Sequence, residues 1–220
     1  MPSFMLKYEY FIRWNGWKIF LLLTGITVLT TFTINDFFLT EGLYYQSFGE
    51  KLAADRIAKV IELTMKWQWI GYITTSVVIM IRICFAALCI YIGCFLGNFN
   101  IKYNDLFKIA LVSDFVFVIA ALTKLGILFL FKQVSVLDDL QFQPLSLLEL
   151  FGKGTVDSFL IYPYSLISVF ELLYWFVLAW LLSHVINRSF FNALKMVALS
   201  YGLGLFLWVL FVVFISLNLT

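Results

Sequence analysis

Long, nearly uncharged apolar stretches recur along the whole sequence, and their length is what most limits how the chain can fold. Five of them stand out, at about residues 17–34, 69–96, 106–131, 160–184 and 191–217. A bilayer core about 30 Å thick takes about 20 apolar residues in an α-helix, which rises about 1.5 Å per residue. The sequence therefore predicts an all-α fold, a polytopic helical bundle with five transmembrane spans.

The composition leads to the same interpretation. The 220 residues are 63% hydrophobic and 13% charged, whereas a soluble domain is about half apolar and about a quarter charged. Too few polar residues remain to cover a surface that faces water. We expect a single membrane domain over residues 1–220, with membrane lipid as its first partner. The net charge of +2 offers no basic surface for nucleic acid.

Basic residues concentrate in alternate loops, and this pattern predicts the orientation. Lysine and arginine are favoured in short cytoplasmic segments. They occupy the N-terminal tail and the links after the second and fourth spans, at Lys7, Arg13, Lys18, Lys102, Lys108, Arg188 and Lys195. The other two links are mixed or acidic. We expect a cytoplasmic N-terminus and an extracytoplasmic C-terminus, with Lys108 and Lys195 as basic residues at the inner interface.

The link between the first two spans has a helical pattern of its own. Ser47 and Glu50 have the spacing of a capping box, and apolar residues then recur at helical intervals at Ala53, Ile57, Val60, Ile61 and Thr64. We predict an amphipathic extracytoplasmic helix over about residues 48–66 that runs into the second span. Its apolar face is expected to pack on the bundle itself, and the bilayer surface or a partner protein is the alternative.

The second half of the sequence contains a weak internal repeat. A shift of 87 residues aligns two hairpins without gaps, and the polar matches are Asn100 with Asn187, Lys108 with Lys195 and Ser113 with Ser200. Both hairpins run from outside to inside and back, so the repeat is parallel. One lead helix followed by two parallel-repeat hairpins is the predicted architecture.

Ionisable residues inside the predicted spans are the candidate site. They are Arg82, Asp114, Lys124 and Glu171. A charge in a membrane costs roughly 2.5–3.5 kcal/mol on insertion scales, so each one suggests a function. Arg82 and Glu171 lie at the same depth, about 20 Å from the inner edge at about 1.5 Å per residue. We predict that these two face each other, with Asp114 as a second acceptor.

This intramembrane polar cluster has three interpretations. It is an ion pair that fixes helix packing, a substrate or proton site near the midplane, or a contact with a partner helix. Lys124 lies near the outer boundary, where its side chain can reach the interface.

Motifs that carry enzyme chemistry are absent from the sequence. It has no P-loop, no His-Glu-x-x-His and no Gly-x-Ser-x-Gly pattern. The three cysteines, Cys84, Cys89 and Cys94, are five residues apart and point in different directions around a helix. Ser113, Thr123 and Ser200 are expected to bond to helix backbone, since no histidine is placed to activate them. We expect no catalytic residue, no metal and no cofactor, and hence not an enzyme.

Several stretches of the second half resemble a known family. They are Pro144-Leu145-Ser146-Leu147-Leu148, Ser168-Val169-Phe170-Glu171-Leu172-Leu173-Tyr174-Trp175, Phe191-Asn192-Ala193-Leu194-Lys195 and Ser200-Tyr201-Gly202. Over about residues 70–217 the chain is similar to the Yip (Ypt-interacting protein) family, which implies five spans and a cytoplasmic N-terminus. Eukaryotic members are linked to vesicle traffic and to prenylated small GTPases. The short N-terminal tail and the abundance of Phe, Ile, Lys and Asn favour a bacterial inner-membrane homologue, with a eukaryotic endomembrane as the alternative.

Two functions are compatible with these patterns. The first is a non-enzymatic integral membrane scaffold or assembly factor of Yip-like type, which acts through helix–helix and lipid contacts. The alternative is a small permease, or the membrane subunit of a transporter, with a midplane polar site at Arg82, Glu171 and Asp114; parallel repeats occur in some transporters. A chain this short would have to oligomerise to enclose a pathway, so a homo-oligomer or other membrane subunits are expected.

Overall fold

The computed structural model of the protein describes residues 15–50, 52–131 and 133–219. These residues are 84% helical and contain no β-strand, which confirms the predicted all-α class. The α-helices in this part of the chain are α1 (Gly16–Phe38), α2 (Glu41–Phe48), α3 (Ala54–Leu96), α4 (Tyr103–Ser113), α5 (Phe115–Leu130), α6 (Leu147–Phe151), α7 (Ile161–Leu166), α8 (Val169–Val185), α9 (Phe190–Val197) and α10 (Leu203–Leu219).

Four helical stretches are long and apolar enough to cross a membrane, as expected of an integral membrane protein. Two of them are α1 and α3. The third, Tyr103–Leu130, consists of α4 and α5 with a single turn residue, Asp114, between them. The fourth, Phe190–Asn218, includes α9, a π-helical turn at Ala198–Gly202 and most of α10.

The predicted fourth span, residues 160–184, is not one continuous helix. A short 3₁₀ turn at Ser158–Leu160 leads into α7, the chain then extends at Ile167 and Ser168, and α8 begins at Val169. Helix α8 has 17 residues, a few fewer than the roughly 20 that a bilayer core requires. By length and composition, α8 alone does not qualify as a span.

The predicted amphipathic helix begins later than the sequence pattern indicated. Ser47 lies inside α2, where its Oγ donates to the carbonyl of Leu43 at 2.7 Å, so the predicted N-cap is wrong. Helix α3 starts at Ala54 and continues without a break for 43 residues, through the second span. Its buried Ile57 and Ile61 pack with Tyr44 of α2. This part of the apolar face therefore contacts the protein itself.

The main core is formed by α1, α3, α4, α8 and α9, and fully buried side chains from them include Leu23, Ile83, Ile90, Leu106, Leu178, Leu182 and Val197. Gly93 and Gly97 lie where helices approach closely. A β-carbon on Gly93 would lie 2.6 Å from Cβ of Ser200, and one on Gly97 would lie 3.0 Å from the side chain of Met196. The absent side chains let α3 lie against α9 and the π-helical turn.

The basic residues that predicted the orientation differ in their exposure. Lys18, Lys102, Arg188 and Lys195 are exposed, and Lys108 is partly buried. Lys7 and Arg13 lie outside the described residues. Lysine 108 is in α4 and Lys195 is in α9, in the second turn of each helix.

Candidate intramembrane binding site

A bidentate ion pair joins α3 to the junction between α4 and α5. Arg82 Nε donates to Asp114 Oδ1 at 2.8 Å, and Arg82 Nη2 donates to Asp114 Oδ2 at 2.7 Å. The guanidinium carbon also lies 4.0 Å from the ring centre of Phe117. Asp114 is fully buried, whereas 33% of the Arg82 side chain is exposed. Two parallel bonds to one carboxylate are the geometry in which arginine binds most strongly.

Glu171 has different partners from those that the sequence predicted. Its Oε1 accepts a hydrogen bond from Trp175 Nε1 and another from the Tyr201 hydroxyl, both at 3.0 Å. The predicted pairing of Arg82 with Glu171 is therefore wrong, and Asp114 is the primary acceptor. Counting residues gave the depth of each side chain, but the direction in which Asp114 points depends on the helix interruption at that residue.

The first turn of α8 positions Glu171. Ser168 is the N-cap, and its Oγ accepts a hydrogen bond from the Glu171 N–H at 3.2 Å. A carboxylate in the first helical turn is stabilised by the helix dipole. The spacing Ser168-x-x-Glu171 is that of a capping box, and it was the sequence signal for a helix start inside this apolar stretch.

The extended residues before α8 are held by the segment that precedes α6. The N–H of Val169 donates to Leu145 O at 3.1 Å, and the N–H of Leu147 donates to Ile167 O at 2.9 Å. Ser146 and Ser168 form an isolated antiparallel β-bridge. These bonds satisfy backbone groups that the broken helix would otherwise leave unpaired in an apolar environment. They also bring together two of the stretches on which the family resemblance was based.

A cavity of about 360 Å³ lies between α3, α5, α7, α8 and α10. Arg82 and Glu171 both line it, and they are its charged lining residues. Its aromatic lining comes from Phe85, Phe117, Tyr162, Phe170, Tyr201 and Trp208. Gln143 and Ser165, from the connection between α5 and α8, also contribute. The cavity thus extends from the polar cluster to that connection.

Three helix irregularities lie beside this cavity. Asp114 interrupts the helix Tyr103–Leu130, the extended residues Ile167 and Ser168 interrupt the predicted fourth span, and the π-helical turn contains Tyr201. Non-helical backbone within a membrane is tolerated where it is buried in protein or lines a cavity. Single π-helical turns are frequent at functional sites. Two of the irregularities contain Asp114 and Tyr201, and the third lies just before Glu171.

The two helical hairpins place these polar residues at corresponding positions. Asn98 and Asn187, in the two hairpin turns, have φ of 58° and 50°. Alignment of these turns pairs Asn98, rather than Asn100, with Asn187 and matches Arg82 of α3 with Glu171 of α8, so the predicted repeat does not run through the turns without a gap. The helices that follow begin at Tyr103 and Phe190, and alignment of their first residues matches Asp114 with Tyr201. Each hairpin therefore contains one internal polar pair, Arg82 with Asp114 and Glu171 with Tyr201.

Tyr174 occupies the space between the two pairs, and no pattern in the sequence indicates its role. Its ring lies 5.0 Å from that of Phe117 and 5.5 Å from that of Tyr201. Its hydroxyl is buried and makes no hydrogen bond to any residue in the described part of the chain. Such groups are rare in protein interiors. The sequence also did not predict the role of Trp175 and Tyr201, which donate to Glu171. Both are aromatic residues in apolar stretches, where such residues are ordinary.

Other candidate residues lie away from the cavity. Lys124 Nζ lies 5.4 Å from the ring centre of Phe142, and His184 Nδ1 lies 2.6 Å from the carbonyl oxygen of Trp180. Ser113, Thr123 and Ser200 each donate to a backbone carbonyl four residues earlier, as predicted. Within the described residues, no group of three or more His, Cys, Asp and Glu side chains is placed to hold a metal ion.

No family model, curated protein or solved structure matches this chain. The resemblance to the Yip family therefore stays a prediction. The function has to be inferred from the cavity and from the residues that form it.

Proposed function

We propose that this protein binds a small molecule in the cavity between its helices, and that it acts as a small permease or as the membrane subunit of a transporter. The observation that supports this most directly is the position of Arg82 and Glu171 on the wall of a cavity of about 360 Å³. Ligand pockets for small molecules have volumes of about 300–1,000 Å³ and combine apolar walls with a few placed polar groups.

The exposure of Arg82 favours a binding site over a purely structural ion pair. A pair that serves only to fix helix packing is most stable when its remaining donors are also satisfied. The described residues satisfy Nε and Nη2 of Arg82, yet 33% of its side chain remains exposed, and the residue lines the cavity. Glu171 likewise uses one carboxylate oxygen for both of its hydrogen bonds.

The broken helix beside the cavity supports a transport function. In many transporters, discontinuous helices form the substrate site near the bilayer midplane. Here the interruption at Ile167 and Ser168 positions Glu171 in the first turn of α8. The backbone of this interruption is covered by residues 145–147, which meets the requirement for non-helical chain within a membrane.

The membrane arrangement that we propose has five spans, with α7 and α8 together forming the fourth. Residues 161–185 would then cross the bilayer as a broken helix. One lead helix and two parallel-repeat hairpins would make up the bundle, and the exposed Lys102 and Arg188 favour a cytoplasmic position for both hairpin turns. The N-terminus would be cytoplasmic and the C-terminus extracytoplasmic. We propose a bacterial inner membrane as the location, with a eukaryotic endomembrane as the alternative.

A cavity-filling variant tests the proposed function. Ala120 of α5 lines the cavity, so Ala120→Leu should fill part of it. Gly126→Leu on the same helix is the matched control, because a β-carbon there meets no atom within 4 Å. Both variants and the wild-type chain would be extracted in native lipid nanodiscs, and co-purifying small molecules identified by mass spectrometry.

We expect a small molecule at constant stoichiometry in the wild-type chain and in Gly126→Leu, and its loss in Ala120→Leu. A wild-type protein that is isolated intact, folded and without any such molecule would contradict the proposal. A molecule retained equally by Ala120→Leu would place it outside the cavity and would also contradict the proposal.

A scaffold function of the Yip-like type is the second candidate, and the exposed surface of α10 favours it. Large apolar side chains there are at least 46% exposed, at Leu203, Phe206, Leu207, Trp208, Leu210, Phe211 and Phe214. Such a surface suits lipid or another membrane helix. Isolation of an empty homo-oligomer, or of a complex with another membrane protein and no small molecule, would favour this function over transport.

A further inference from the structure

The two charged residues that line the cavity, Arg82 and Glu171, have different partners. Arg82 contacts the carboxylate of Asp114 through two hydrogen bonds, so its positive charge is compensated at contact distance. Glu171 receives its two hydrogen bonds from Trp175 and Tyr201, which are neutral donors. In their usual ionised forms, the three groups carry one positive and two negative charges. Within the described residues, Arg82 is thus paired with Asp114, and an ionised Glu171 has no charged group at contact distance.

Glu171 presents the negative charge to the cavity. Both of its hydrogen bonds use Oε1, and the carboxylate side chain lines the cavity. The N-cap at Ser168 and the start of α8 stabilise a carboxylate at this position. These interactions hold the carboxylate in place, and none of them supplies a positively charged group. An uncompensated charge in an apolar environment attracts a counter-ion strongly.

Aromatic rings of the cavity wall, one of them on Tyr201 beside Glu171, suit a cation with an apolar body. The ring of Phe85 lies 6.4 Å from that of Tyr201 and 6.5 Å from that of Trp208, and all three line the cavity. The negative face of an aromatic ring attracts cations, and clusters of aromatic rings recognise quaternary ammonium groups. The guanidinium of Arg82 already covers the nearby ring of Phe117 at 4.0 Å, so this protein uses the same interaction within the site.

We propose that the ligand of this cavity is an apolar organic cation, with its ammonium group beside Glu171 and its apolar part against Phe85, Tyr201 and Trp208. This inference rests on the proposed small-molecule function and narrows it to one chemical class. An anion would have Arg82 as its partner, but the carboxylate of Asp114 already offsets the charge of that guanidinium, whose remaining N–H groups are left for a neutral acceptor. A neutral ligand would leave the charge of Glu171 unpaired.

Three probes of similar size but different charge test whether binding depends on the charge of the ligand or on its shape. Benzyltrimethylammonium is the cation, neopentylbenzene is its neutral isostere with carbon in place of nitrogen, and 3-phenylpropionate is the anion. Saturable binding of radiolabelled benzyltrimethylammonium would be measured on the full chain in lipid nanodiscs, with empty nanodiscs subtracted. Unlabelled probes would then be tested for displacement. We expect the neutral isostere and the anion to displace the label at least about tenfold less effectively than the unlabelled cation, since cation–π and charge pairing are lost.

Two variants test whether Glu171 is responsible for the preference for the cation. Glu171→Gln keeps an oxygen that accepts from Trp175 and Tyr201 but removes the charge, and it should weaken binding of the cation by about tenfold or more. Glu149→Gln is the matched control, because Glu149 has the same relation to its N-cap, Ser146, but is exposed and outside the cavity. It should bind the cation as the wild-type chain does. The displacement order on the wild-type chain remains decisive if Glu171→Gln does not fold.

The possible outcomes separate this inference from the proposed function. If the neutral or anionic probe displaces the label as well as the cation does, the cationic class is overturned while small-molecule binding stands. If none of the probes binds although a small molecule co-purifies from native membranes, the cationic class is again overturned. If none binds and nothing co-purifies, the proposed function itself fails.

Discussion

The carboxylate of Asp114 holds the guanidinium of Arg82 through two hydrogen bonds, of 2.8 and 2.7 Å, across 32 positions of sequence. This ion pair connects the middle of α3 to Asp114, where the helix Tyr103–Leu130 is interrupted. It fixes the rotation of both helices about their axes. It also fixes one wall of the cavity, because the same guanidinium lies against Phe117.

Removal of one partner of this ion pair should be strongly destabilising. Asp114→Ala leaves Arg82 without its acceptor in a largely apolar environment, and breaking a buried pair in this way costs about 3–5 kcal/mol. The measurement is the free energy of unfolding in mixed micelles, by titration with a denaturing detergent. The double variant Arg82→Met with Asp114→Leu should recover most of the loss, because an apolar pair of similar volume removes the unpaired charge.

Glu171→Gln is the comparison for this experiment. The amide oxygen of glutamine still accepts from Trp175 and Tyr201, so the cost should stay near the roughly 0.5–1.5 kcal/mol of one hydrogen bond. An Asp114→Ala variant as stable as the wild-type chain, or less destabilised than Glu171→Gln, would contradict the pairing of Arg82 with Asp114.

The contact between Gly93 and Ser200 should tolerate no added side-chain volume. Gly93→Ala places a methyl group 2.6 Å from Cβ of Ser200, and overpacking of this kind costs typically about 1–3 kcal/mol. Gly71→Ala on the same helix is the control, because its new methyl group meets nothing within 4 Å. Thermal denaturation in detergent would compare the two variants. Combining Gly93→Ala with Ser200→Gly should restore much of the lost stability, and failure of this rescue would show that α3 and the π-helical turn do not meet there.

The N-cap of α8 should contribute measurably to stability. Ser168→Ala removes the side-chain acceptor of the Glu171 N–H, and loss of an N-cap costs about 1 kcal/mol. Ser168→Thr retains a hydroxyl and should cost less. Ser165→Ala serves as the control, since the Ser165 hydroxyl donates to the Tyr162 carbonyl within a helix and caps nothing. Equal losses in Ser168→Ala and Ser168→Thr, measured as unfolding free energies, would argue against a helix start at this residue.

The proposed five spans predict which introduced cysteines share a side of the membrane. With Cys84, Cys89 and Cys94 replaced by alanine, a membrane-impermeant maleimide should label Lys102→Cys and Ser189→Cys only after the cells are opened. It should label Gly154→Cys, where the new side chain meets no atom within 4 Å, in intact cells.

This labelling pattern tests the broken fourth span directly. Lys102 and Ser189 are separated by the helix Tyr103–Leu130 and by the pair α7 and α8. If α7 and α8 do not cross the membrane, the two positions lie on opposite sides and one of them is labelled in intact cells. That result would contradict the five-span arrangement.

The membrane character and the helical class could be predicted from the sequence because both depend on local properties. The number of consecutive apolar residues decides whether a helix can cross lipid, and the four long helices follow the predicted stretches closely. Helix ends were harder to predict where a distant contact decides them. Ser47 has the spacing of an N-cap, yet its Oγ donates within α2 and accepts from the N–H of Leu137, 90 positions away.

The membership of the polar cluster was predictable, but its pairing was not. Ionisable residues in apolar stretches identified Arg82, Asp114 and Glu171, and counting along the helices predicted their depths. The partner of each residue depends on how its helix is rotated about its axis. The interruptions at Asp114 and at Ile167 and Ser168 change this rotation. The capping-box spacing of Ser168 and Glu171 is a local signal of the second interruption, although the predicted fourth span ran through it, whereas nothing local indicated that Tyr201 would lie in a π-helical turn.

The correspondence between Arg82 and Glu171 also limits how such a site can be assembled. Two identical hairpins around a two-fold axis would bring two arginines or two glutamates together at the same depth, and like charges at close range repel in a medium of low dielectric constant. A single chain that contains both hairpins can place a base in one and an acid in the other. The presence of both hairpins in one chain therefore permits an asymmetric interior. In such an interior, an entering molecule finds one orientation more favourable than its reverse.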